Sequence, residues 1–126
     1  MRKMNKEPSK KLTKRSLPGG VKISVKASQA KKGEDVIVLF LSEISSFTDF
    51  FIIMHGNSSR QNFAIYENIA MELKKKNVMP LSIEGKKNAE WILMDYGSFI
   101  IHIFSEKARE YYSLEKLWGD APKITY

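Results

Sequence analysis

Between residues 34 and 104 the chain alternates short apolar runs with polar turns. VIVLFL at 36–41 and DFFIIMHG at 49–56 are rich in β-formers, short, and bounded by turn residues, and so predict two buried strands. SEISSFT supplies the turn between them. In the next stretch, NSSRQNFAIYENIAMELKKKN, the period changes. Ile65, Ile69 and Leu73 recur every four residues with Tyr66 and Ala70 alongside, which predicts a helix that lays one face on a sheet. Ser58, with Gln61 three residues on, fits a capping box at its start. Lys74, Lys75 and Lys76 suit the negative end of its dipole. LSIEG at 81–85 predicts a third strand.

EWILMDYGSFIIHIF, residues 90–104, predicts a hairpin. Successive strand residues point to opposite faces, and a two-residue loop at Tyr96-Gly97 or Gly97-Ser98 is the favoured connection. Either loop puts Ile92, Met94, Tyr96, Phe99, Ile101 and Ile103 on one face, suited to a core. The other face carries Trp91, Leu93, Asp95, Ile100, His102 and Phe104. It is apolar but charged, and is therefore either covered by another part of the chain or offered to a partner. A three-residue loop would reverse the pairing and mix the two sets.

Residues 21–32 predict a short helix ending at Gly33, where glycine takes the left-handed conformation. Residues 106–112 predict another, with Ser105 as cap. SLEKLW at 113–118 adds a last turn or two, stopped by Gly119 and Pro122. The order is helix, two strands, helix, three strands, helix, and no repeat is visible. The fold class is α/β, with a single mixed five-stranded β-sheet packed with helices. Residues 1–20, MRKMNKEPSKKLTKRSLPGG, are polar, lysine-rich and end in Pro-Gly-Gly, and they are read as a disordered basic arm. Residues 21–126 form one domain, as the length of 126 suggests.

Charge sharpens this division. The net +7 is uneven: residues 1–32 hold eleven Lys or Arg and one Glu, whereas residues 33–126 hold ten Lys or Arg and thirteen acids. A basic leader suits salt-sensitive attraction to nucleic acid, although a solvated tail is an equally good reading. A mildly acidic body fits a basic protein partner better than a wide phosphate surface. The chain has no cysteine, which excludes disulfides and thiol chemistry. No apolar run approaches the ~20 residues that span a bilayer, and the leader has no signal-peptide core. The expected location is cytoplasmic, with no membrane partner.

Catalytic chemistry finds little support. His55 and His102 are the only histidines, each in an apolar run and without ligand spacing for a metal. GNSSR at 56–60 lacks the lysine and spacing of a P-loop, and Asn57 and Ser58 serve better as helix caps. Ser58 or Ser59 with His102 and Asp95 would complete a triad on paper, but no nucleophile-elbow pattern accompanies them. No Asp-x-Asp pair is present to hold magnesium. The reading is therefore no enzyme, no cofactor and no metal. Trp91, Tyr112 and Trp118, with Arg109 and Lys116 near the Tyr112 stripe, are residue types that fill cores or anchor interfaces.

Taken together, SSFTDFFIIMHGNSSRQ, IEGKKNAEWILMDYGSFIIHIF and AREYYSLEKLWGDAP resemble the ribosomal silencing factor, or Iojap-like, family over about residues 34–122. Thr48-Asp49, Gly56, Ser58-Ser59-Arg60, Glu84-Gly85, Trp91, Asp95, Gly97, His102 and Leu114-Glu115-Lys116-Leu117-Trp118 fall in order. Ser98 and Phe40 depart from the residues commonest there. The resemblance implies a nucleotidyltransferase-like fold without catalysis. It also implies binding to the large ribosomal subunit through protein uL14, steric blocking of small-subunit joining, a part in large-subunit maturation, and a homodimer in the free state. Glu84, Trp91, Asp95, Arg109, Tyr112, Leu117 and Trp118 are then the expected partner-binding residues, and the arm a possible ribosomal RNA contact. The alternatives are a nucleotidyltransferase-like enzyme and an RNA-binding module acting through the arm.

Overall fold

The computed structural model describes residues 12–126; residues 1–11 of the expected arm lie outside the described residues. The first helix, α1 (Gly19–Ala30), starts two residues before the expected boundary, and Leu17 just ahead of it is buried at 3% exposure. The ordered body therefore reaches into the stretch read as arm. α1 ends in a Schellman motif, with the Gly33 amide donating to Ser28 O at 2.8 Å and the Lys32 amide to Gln29 O at 2.9 Å. The left-handed residue is Lys32 (φ 65°), not Gly33 as expected.

β1 (Glu34–Phe40) and β2 (Phe50–Gly56) follow, then α2 (Ser59–Lys74), β3 (Ser82–Glu84), β4 (Trp91–Asp95) and β5 (Phe99–Ser105). α3 (Glu106–Tyr112) and the single turn α4 (Leu114–Leu117) lead to β6 (Lys123–Thr125). The strands form one mixed sheet in the order β3-β4-β5-β2-β1-β6. β2 and β5 run parallel at its centre, and the other neighbours are antiparallel. The sheet has six strands where five were expected. The sixth is three residues long with one buried side chain, Ile124, and is fixed only by pairing Lys123–Thr125 with Ile37–Leu39. So short a segment carries no periodic signal.

The hairpin adopts the anticipated register: Trp91 faces Phe104, Leu93 faces His102 and Asp95 faces Ile100. Its loop is Gly97-Ser98, closed by the Tyr96 amide on Phe99 O at 3.0 Å. Gly97 takes a positive φ of 88°, which glycine adopts without a Cβ penalty, and the Ser98 amide donates across it to Tyr96 O at 3.2 Å. The capping box of α2 forms with a shift. Ser58 Oγ accepts from the Gln61 amide at 3.1 Å, but the Gln61 side chain takes the Asn57 amide at 2.6 Å instead of that of Ser58. Its Nε2 also donates to Lys32 O at 2.9 Å, joining the start of α2 to the end of α1.

The sheet thus carries two layers. α1 and α2 cover one face, where Val21, Val25, Ile65, Ile69 and Leu73 pack on Val38, Ile52, Met54, Ile92, Met94, Ile101 and Ile103. α3, α4 and the segment to Ala121 lie over the other face, on Ile37, Leu39, Phe51, Ile53, Ile100 and Phe104. The mixed hairpin face lies on this second side. It is part covered and part open.

Candidate interaction surface

Alternation places Trp91, Leu93 and Asp95 on the second face, all three half-buried, while Ile92 and Met94 beside them are fully enclosed. Trp91 is held from three sides. Its ring centroid lies 4.5 Å from that of Tyr112 on α3, 5.0 Å from Phe104 and 5.9 Å from His102. Its indole N–H points inward and donates to His102 Nδ1 at 3.1 Å. His102 is 3% exposed, and burial pushes its pKa down to about 3, so the ring is neutral with its proton on Nε2. That Nε2 is buried and unpartnered, while the ring packs edge-on to Phe51 with centroids 4.4 Å apart.

A second aromatic group closes the other end. Trp118, half-buried after α4, meets Phe51 edge-on at 6.0 Å and Phe47 at 6.2 Å. Around these groups stand large apolar side chains that the fold leaves open: Phe47 at 57% exposure, Tyr112 at 47%, Leu117 at 71% and Tyr111 at 80%. An apolar surface of this kind, rich in Tyr and Trp, has the composition of an interface core. Glu84 is exposed on β3 opposite Leu93, and Glu90 is exposed beside Trp91, so the hairpin edge of the rim is acidic, while Lys116 is exposed beside Leu117 on α4. Asp95 has one oxygen occupied: Oδ1 accepts the Gly97 amide at 2.8 Å and braces the turn.

Six of the seven expected residues therefore lie on or at the edge of this side, and one is turned inward. Arg109 is 9% exposed and contacts its own protein: Nε and Nη2 reach Glu115 Oε2 at 3.1 and 3.0 Å, and Nη1 reaches His55 Nδ1 at 2.9 Å and Glu34 O at 3.3 Å. Because arginine only donates, His55 Nδ1 is the acceptor and its Nε2–H faces Glu34 Oε1 at 3.5 Å. Arg109 thus ties α3 and α4 to the β1–β2 ladder, and does not offer a charge outward. Spacing alone placed it on the Tyr112 stripe, and nothing local signalled its three partners on β1, β2 and α4. Phe47 and Tyr111 were missed. A large aromatic inside a polar turn, as in SSFTD, was the available signal for Phe47.

The catalytic alternatives do not assemble. Ser58 Oγ caps α2, Ser59 Oγ donates to Asn88 O at 3.1 Å, and His102 Nδ1 is occupied by Trp91. Among the described residues no group of three or more His, Cys, Asp or Glu side chains could hold a metal ion, and no helix is long and apolar enough to cross a membrane. A groove between α3 and β1–β6 contains His55 and Arg109, whose polar atoms face each other and their glutamates.

The chain is similar to known proteins in sequence and in fold. A family model described as ribosomal silencing factor during starvation matches residues 14–126. The ribosomal silencing factor RsfS of Halalkalibacterium halodurans is 39% identical over 104 residues, covering 82% of this chain and 89% of the relative. The mouse (Mus musculus) protein named mitochondrial assembly of ribosomal large subunit protein 1 is 33% identical over 91 residues, covering 70% of this chain and 40% of that protein. A crystal structure of a Chromobacterium violaceum protein superposes with a TM-score of 0.77 at 33% identity, covering 79% of this chain and 83% of the other.

Proposed function

The chain belongs to the ribosomal silencing factor family, and from that premise we propose that it binds the large ribosomal subunit through protein uL14 and blocks joining of the small subunit. The observation that carries the reading is the open aromatic surface of Trp91, Tyr112, Leu117 and Trp118 with its acidic rim, an apolar centre edged by charge opposite to that of a basic ribosomal protein. A stable interface buries about 1,600 Å² in total, more than one hairpin supplies, so α3, α4 and the Phe47 turn contribute. The action is occlusion: no bond is made or broken, and affinity and position set the effect. Translation falls as large subunits are held apart, and the same binding accompanies maturing large subunits. The site of action is the cytoplasm. The free protein is a homodimer, a second copy covering the apolar surface that the ribosome otherwise takes.

The test is co-sedimentation with isolated large and small subunits, followed by light scattering of subunit joining. The protein is expected to pellet with large subunits only and to slow joining. Leu117→Glu, at a position 71% exposed, is expected to fold normally and lose at least ~30-fold in affinity, the size of one interface hot spot. Equal binding to both subunits, or full binding by Leu117→Glu together with Tyr112→Ala, would require the docking surface to be withdrawn.

A further inference from the structure

Charge is divided between the two sides of the sheet. Residues 12–33 and 59–77, which form the α1/α2 layer, hold ten Lys or Arg and two acids, Glu67 and Glu72. Residues 34–58 and 78–126 hold six Lys or Arg and eleven acids. The helical layer is thus strongly positive and the remainder negative. All ten cations, Lys14 and Arg15 through Lys76, are exposed, although Lys14 lies over the Tyr126 ring at 4.5 Å, at the edge of the sheet rather than on the helices. Among the described residues only Lys75 has an ion-pair partner, Glu72 at 3.0 Å.

The fold gathers these cations. Gln61 Nε2 donates to Lys31 O and Lys32 O, and Asn68 Nδ2 donates to Ala27 O at 2.8 Å, so α2 runs back along α1. The antiparallel run brings the start of α1, with Lys22, toward the end of α2 at Lys74, Lys75 and Lys76; Lys26 lines a groove with Asn68 and Glu72, Lys31 one with Glu67, and the backbone of Lys31 and Lys32 meets Gln61 next to Arg60. α1 has no acid on it, and no exposed large apolar side chain. A helix is ~10 Å across, about a Debye length in physiological salt. The acidic rim beyond the sheet therefore does not cancel this field.

We propose that the α1/α2 layer is an RNA-binding face, taking the phosphate backbone along α1. A protein partner would ask for an aromatic or aliphatic centre, and a bilayer would ask for apolar side chains to insert; α1 offers neither, and α2 exposes only Phe63 and Met71, two helical turns apart. Exposed cations with no acid among them on α1, and only Glu67 and Glu72 across the groove on α2, are the complement of a polyphosphate, and positive charge of this kind marks nucleic-acid interfaces. The face is turned away from the aromatic surface by the thickness of the sheet, so one molecule can engage a protein and RNA together. That the RNA is ribosomal rests on the proposed function; that the face takes RNA does not.

The experiment is fluorescence anisotropy of the full-length protein on a labelled RNA duplex at ~50 to ~200 mM salt, beside the triple variant Lys22→Gln, Lys26→Gln, Lys31→Gln and the variant Leu117→Glu. Residues 1–11 are common to all three, so a difference belongs to α1. The triple variant is expected to melt like the parent, to bind RNA ~10-fold or more weakly, and to show a salt slope shallower by about one per phosphate contact removed. Leu117→Glu is expected to bind RNA as the parent does. Unchanged affinity and slope in the triple variant would overturn the proposal. So would parent protein that ignores RNA but binds phosphatidylserine vesicles, or loss of RNA binding in Leu117→Glu. Failure of subunit binding with RNA binding intact would remove the occlusion mechanism and leave this face standing.

Discussion

The indole N–H of Trp91 donates to His102 Nδ1, 3.1 Å away across the β4–β5 ladder. The bond points the tryptophan's polar edge inward and turns its apolar face toward Tyr112 and solvent. It also fixes the histidine tautomer and leaves a buried Nε2–H without a partner.

His102 makes stability fall with acid. Its folded pKa is about 3 against 6.5 for the free side chain. The unfolded chain therefore binds an extra proton between these values. Stability is complete above pH 6.5 and falls by about 1.4 kcal/mol per pH unit until about pH 3. His102→Phe keeps the ring volume and removes the titration. Near neutrality it loses one hydrogen bond of ~1 kcal/mol, and the unpaired Nε2–H it removes is replaced by the Trp91 indole N–H left without its acceptor, so the variant is expected to be about 1 kcal/mol less stable there. Urea unfolding midpoints from pH 7 to pH 4 are expected to drop less steeply in His102→Phe than in the parent; parallel curves would refute the assignment.

Gly85 and Gly97 both have positive φ, 87° and 88°, yet substitution is expected to affect them unequally. A methyl group on Gly85 would strike the carbonyl oxygen of Trp91, a backbone atom within a paired strand, whereas one on Gly97 would meet only Leu81 Cδ1 at 3.5 Å. Gly97→Ala is expected to cost about 1 kcal/mol from backbone strain alone, and Gly85→Ala about 3 kcal/mol or more. Thermal melts decide the order. Similar losses would mean that β3 yields to relieve the contact.

Tyr96 is buried against Phe99, rings stacked at 5.0 Å, and its hydroxyl has no hydrogen-bond partner. Burial, aided by nearby Tyr66, pushes its pKa up to about 12. Tyr96→Phe removes an unsatisfied polar atom and is expected to leave stability equal or raise it by up to ~1 kcal/mol. A clear loss in denaturant titration would reveal a partner for the hydroxyl in solution.

Arg109 and Leu117 separate support from contact. Arg109→Met removes the cation from Glu115 and His55 and is expected to cost about 3 kcal/mol, the range for breaking a buried pair. Subunit binding should fall with it, because α3 and α4 loosen. Leu117→Glu should leave the melting temperature unchanged and weaken subunit binding alone. If Arg109→Met binds poorly while melting as the parent does, Arg109 faces the partner after all.

What could be read from the sequence follows the range of the forces involved. The β4–β5 hairpin and its register were legible because period-two alternation and Gly97 act over neighbouring residues. The Ser58 and Ser105 caps were legible for the same reason. β6 was not: its three residues become a strand only by pairing with Ile37–Leu39, more than eighty positions earlier. Arg109 turned inward for a partner set drawn from Glu34, His55 and Glu115, of which only the last is near in sequence. Lys32 holds the left-handed position next to an available glycine because the Schellman bonds to Ser28 and Gln29 fix which residue reverses. The aromatic surface was half legible. Residue type named Trp91, Tyr112, Leu117 and Trp118, but only packing shows which flank of each ring stays open.

The late position of β6 bears on how the molecule comes into being. Ser105 leaves the sheet at the end of β5, and Lys123 rejoins it beside β1, so α3 and α4 form a strap fastened at both ends. During synthesis the first five strands emerge before the second fastening exists. Pairing over so long a separation is slow to form, and domains are built as the chain is extruded. A nascent chain that has not yet released residues 123–125 can hold its hairpin without a settled strap across it. The aromatic surface is thus completed after the hairpin that carries half of it, when β6 pairs with β1.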